Sequence, residues 1–66
     1  MLKQYKLLQA RLSAGIAPAK TGAFIKDCES LFRLAKKHSR VYLAGLVKAL
    51  AQDCILLEMS RNAAWL

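Results

Sequence analysis

Apolar residues recur along this chain at intervals of three and four, and the face they mark is interrupted twice. Leu2, Tyr5, Leu8 and Leu12 share one side of a helix predicted over about residues 2–13. Lys3, Lys6 and Arg11 lie off that side, and Leu7 falls among the polar positions. Ser13-Ala14-Gly15 closes the segment, because glycine accepts the left-handed turn that ends a helix. Residues 14–21 read as linker: Pro18 fixes its own φ and disfavours helix at Ala17. Thr21 is placed to cap a second helix, about residues 22–38. Its apolar face is Phe24, Ile25, Cys28, Leu31, Phe32 and Ala35, while Lys26, Ser30, Arg33 and Lys37 line the opposite side. Glu29 precedes Arg33 by four, the favourable order for an ion pair along a helix. Lys36, Lys37 and His38 suit the negative pole at its end.

The third segment, about residues 40–61, is built on Val41 to Met59 and is apolar over most of its circumference. Leu43, Leu46, Val47, Leu50, Cys54 and Leu57 share one face, yet Ile55, Leu56 and Met59 lie well away from it. A helix of that kind needs cover on more than one side. Leu43, Leu46, Leu50 and Leu57, with Trp65 in the apolar tail, are therefore the expected partner-binding positions. Gly45 inside this helix costs about 1 kcal/mol against alanine, which close packing of another helix would explain.

Whether these two segments are one helix or two turns on a few residues. No glycine or proline lies between Gly22 and Gly45, so a continuous helix from about residue 21 to 60 is the alternative. Polar residues fill Lys36 to Arg40 on every side, and Ser39 can cap the third segment. A single long helix would also leave its apolar face in water. The expected fold is all-α: a short N-terminal helix, a Pro-containing linker and a helical hairpin turning at residues 37–40, in one small domain.

Size sharpens this picture. Sixty-six residues sit where one core is marginal, and 56% of them are apolar. Such a chain is expected to dock on something larger. The net charge of +7 is uneven: residues 1–26 carry Lys3, Lys6, Arg11, Lys20 and Lys26 with no acid, whereas in residues 41–66 Lys48 and Arg61 balance Asp53 and Glu58. Lys26, Arg33, Lys37 and Arg40 form a candidate basic patch for phosphates, with no recognition-helix or zinc-finger signature beside it.

Candidate chemistry is sparse. One histidine and two cysteines without a Cys-x-x-Cys leave a zinc site short of ligands, so no metal and no cofactor is expected. Cys28 and Cys54 read as small buried hydrophobes, or as a pair that a hairpin brings near bridging reach. His38 and Ser39 point about 100° apart as helical neighbours and form no dyad. Asp27 and Glu29 suit the early turns of the second helix, and Gly15, Gly22 and Gly45 are too scattered to cradle a phosphate. No catalytic residue is assigned and an enzyme is not expected.

Neither a secretory signal nor a membrane span is read, since the longest unbroken apolar run is Val41 to Val47. The basic, acid-free start is similar in part to a mitochondrial targeting segment, but with a single Arg and Ser before Ala14; starting at Met1, it is not expected to be removed. Ile16-Ala17-Pro18, Gly22 through Asp27, Val41 through Ala44 and Asn62-Ala63-Ala64 together resemble the first two helices of the histone fold. That resemblance implies dimers that wrap DNA, but the chain stops where a third histone helix should begin. Tyr5-Lys6-Leu7-Leu8 is similar to the start of mitochondrial Leu-Tyr-Arg proteins, with Gln4 and Lys6 in place of the motif's leucine and arginine. That likeness implies a basic helical accessory subunit. Neither family is claimed.

The expected function is a non-catalytic subunit or adaptor, inserting the third helix against other protein subunits, in an intracellular setting such as the mitochondrial matrix or inner-membrane face. The alternative is a nucleic-acid-binding protein without sequence preference, histone-like or ribosome-associated. A third option is a membrane-surface segment spanning Leu2 to Leu12.

Overall fold

A computed structural model describes residues 1–63, with side chains through Arg61. Trp65 lies outside the described residues. The chain is all-α, as the pattern predicts: α1 (Leu2–Ala14), a single 3₁₀ turn at Pro18–Lys20, α2 (Thr21–Lys37) and α3 (Val41–Ala63). No strand occurs among the described residues.

The hairpin forms because α2 is actively terminated. Ser39 takes φ 57, in the left-handed region. Its N–H donates to the Lys36 carbonyl at 3.0 Å, and the Arg40 N–H donates to the Ala35 carbonyl at 2.7 Å. These are the two bonds of a Schellman closure, with serine in the place glycine usually holds. The Arg40 carbonyl then accepts from the Ala44 N–H at 2.9 Å, which opens α3. Ser39 thus ends one helix rather than capping the next, and the continuous helix is not formed. Thr21 also departs from expectation. It is the first residue of α2 and buried, Lys20 holds the cap position, and no side chain caps the helix.

The core is the seam between α2 and α3. Phe24, Cys28, Leu31 and Ala35 meet Leu43, Ala44, Val47, Leu50 and Cys54, and Phe24 and Val47 are wholly shielded from water. α1 adds one buried side chain, Leu8, with Tyr5 and Leu12 half-buried beside it. Arg11 ties α1 to α2: its Nη1 donates to Asp27 at 2.8 Å, and its guanidinium stands 5.3 Å from the Phe24 ring centre. This is the ion pair formed among the described residues, and the expected Glu29–Arg33 pair is absent. Gly15, at φ 93, lets the chain leave α1 in a conformation open to glycine alone.

Helix lengths decide what stays bare. At 1.5 Å per residue, α3 runs about 35 Å and α2 about 26 Å. Thr21 lies level with Leu57 and Glu58 across one small cleft, so α3 passes beyond the end of α2. There its cover is the linker, where Arg61 Nη1 donates to the Ile16 carbonyl at 3.3 Å. The result is a rod of 43 × 18 × 15 Å with a radius of gyration of 12.4 Å. Compact packing of this length would give roughly 11 Å. A molecule two helices thick has little interior, and much of its apolar surface remains outside.

Candidate functional site

The four leucines expected to meet a partner have different fates. Leu43 and Leu50 are buried against α2, and Leu46 is half-buried. α2 itself occupies the face that Leu43 and Leu50 form, because the turn at Ser39 folds it back onto them. Leu57 remains about half exposed beside Leu12. The bare surface of α3 is instead the opposite side, where Leu56 is 61% exposed and Ile55 and Met59 stand next to it. Sequence periodicity already separated Ile55, Leu56 and Met59 from the leucine face. What it lacked was knowledge of which face the hairpin would consume.

Gly45 lies on this same outward side. A Cβ built there meets nothing within 4 Å, so no helix of this chain packs against it. Its expected role as a close-packing site is not fulfilled within the chain.

Lys26, Arg33 and Lys37 are all exposed and share one side of α2, spanning about 16 Å along its axis. Arg40 stands exposed in the turn beyond them. The fold adds a grouping that the linear sequence hides. α1 runs antiparallel to α2, since Arg11 meets Asp27 while Gln4 and Leu7 line one groove with Ser30 and Leu34. Met1 and Leu2 therefore reach the hairpin turn, beside Arg40, Val41 and Tyr42. A plane near Leu8, Leu31 and Val47 divides the rod. On the turn side lie Lys3, Lys6, Arg33, Lys36, Lys37 and Arg40, with no Asp or Glu. On the other side Arg11, Lys20, Lys26, Lys48 and Arg61 stand with Asp27, Glu29, Asp53 and Glu58, Lys48 lining one pocket with Glu29. Six of the seven net positive charges thus belong to one end.

The two thiols share the α2–α3 seam, and the histidine stands apart from them. Cys28 and Cys54 are free thiols buried in the seam. Burial pushes the Cys28 thiol up to about 11, reinforced by Cys54 and Asp27 and opposed by Arg11. Burial likewise raises Cys54, with Glu58 adding to it and Arg61 opposing. Both are held as protonated thiols at neutral pH, the reverse of an activated nucleophile. His38 is exposed in the turn, away from either sulfur. No cluster of three or more metal-ligating side chains exists among the described residues, and no described helix is long and apolar enough to cross a membrane.

Comparison with protein-family profiles, curated proteins and solved structures finds no match to this chain. The histone-like and Leu-Tyr-Arg-like stretches stand as resemblances of short segments and carry no functional argument.

Proposed function

We propose that this chain is a non-catalytic helical subunit or adaptor that docks on another protein through the outward side of α3. The observation that supports the reading is the patch of Ile55, Leu56 and Met59, with Leu57 at its edge, left bare after the hairpin core has closed. These side chains lie in the part of the rod where charges nearly balance, so apolar burial rather than ionic attraction would drive association there. A mitochondrial or other large assembly would suit such a subunit. Native mass measurement tests it: the particle containing this chain should exceed 7.3 kDa at high salt. Leu56→Asp with Met59→Asp should disperse it without loss of helix. A monodisperse monomer at high concentration and in its native extract would refute the reading.

The acid-free basic end favours a second reading, contact with the phosphates of a nucleic acid without sequence preference. It predicts micromolar or tighter affinity that falls steeply with salt.

A further inference from the structure

The basic end is not only basic. Within it, Tyr42 is 83% and Val41 77% exposed, and Leu2 of α1 is more than half exposed beside them. Three large apolar side chains thus crown the tip of a rod whose sides, at that end, carry Lys3, Lys6, Lys36, Lys37 and Arg40. Only the tertiary fold joins Leu2 to the turn, some forty positions away in sequence. We infer that this tip is a docking surface for an anionic lipid bilayer, engaged end-on.

Each class of partner would reward a different set of these side chains. Anionic headgroups attract each Lys or Arg held near the surface, and the attraction accumulates over the cluster. The boundary between headgroups and acyl chains, reached at about 5–10 Å depth, takes up aliphatic side chains and favours a tyrosine with its ring in the apolar layer and its hydroxyl in the headgroups. Leu2, Val41 and Tyr42 would gain cover there. A phosphate backbone would take the cations but leave Leu2 and Val41 in water. The N-terminal poles of α1 and α3 face the same end and add positive potential, against the opposing pole of α2. No described helix can span a bilayer, so the contact is superficial. Insertion of α1 lying flat, the geometry its own pattern suggests, is precluded while the fold holds, because Leu8 is buried and Tyr5 and Leu12 face the hairpin. The surface lies at the opposite end of the rod from Ile55, Leu56 and Met59, so both could be occupied at once.

Vesicle flotation with the full chain tests the inference. Phosphatidylcholine vesicles containing phosphatidylglycerol should carry the protein up, and pure phosphatidylcholine vesicles should not. Lys37→Gln with Arg40→Gln should lower partitioning roughly thirtyfold. Leu2→Ser with Tyr42→Ser, at unchanged charge, should lower it about tenfold. All of these positions are exposed, and circular dichroism of each variant verifies that the helices persist. Leu56→Asp should leave vesicle binding intact, which separates failure here from failure of the subunit reading. Equal binding to neutral vesicles would overturn the inference, as would full binding by the serine variant. A duplex DNA that binds in a salt-sensitive way, indifferent to the serine substitutions while vesicles do not bind, would reassign the tip to nucleic acid.

Discussion

Ser39→Gly is the substitution whose sign separates the hairpin from any extended form of this chain. Serine at φ 57 holds the left-handed conformation that closes α2. For an L-residue that conformation costs about 1–2 kcal/mol, and glycine relieves it. Glycine gives back about 0.5–1 kcal/mol through its greater freedom in the unfolded chain. The net expectation is a gain of about 0.5–1 kcal/mol, and both closing bonds are kept because they use backbone atoms. For a domain this small, each kcal/mol moves the midpoint by about 4–8 °C, so Tm should rise by roughly 2–8 °C. In a continuous helix the same change would cost about 0.5 kcal/mol, since glycine is the poorer helix former. Thermal and urea melts followed by far-ultraviolet circular dichroism decide it, with Ser39→Val as the control that should lose at least about 1 kcal/mol. A lower midpoint for Ser39→Gly would refute the left-handed closure of α2.

Leu50→Asp should abolish folding, since it places a charge in the α2–α3 seam and removes a packed side chain, a loss of several kcal/mol. Unchanged helix content and melting would show that Leu50 does not lie in the seam. Gly45→Ala should raise stability by about 0.5–1 kcal/mol, because the added methyl meets nothing; a decrease in the isolated chain would mean that Gly45 packs against a second copy. Cys28 links stability to alkaline pH. From about pH 9 the unfolded thiol releases its proton while the native thiol keeps it, so stability falls with rising pH until about 11, where the native thiol also ionises. The share due to Cys28 approaches a slope of about 1.4 kcal/mol per pH unit, and Cys28→Ala should remove that share in urea melts, leaving the part that Cys54 contributes. Arg11→Ala should cost no more than about 1 kcal/mol, because Arg11 and Asp27 are both near half exposed; a larger loss in the same melts would assign α1 a greater share of the fold.

Periodicity alone was enough to read three helices, their approximate limits and the apolar faces of α2 and α3. It works because those properties are local: Phe24, Cys28, Leu31 and Ala35 share a face whatever lies opposite. The turn was legible as a polar interruption, though the backbone conformation of Ser39 was not, since serine carries no strong preference for φ above zero. Three matters waited for the folded chain. Leu43 and Leu50 proved to be spent within the hairpin, leaving Ile55, Leu56 and Met59 outside, because α3 outruns α2 and has two sides where α2 covers one. Leu2 came to the same end as Tyr42 because α1 packs antiparallel to α2. The charge gathered at one end for the same reason, since pairing helices head to tail sorts residues by position along the rod rather than along the sequence.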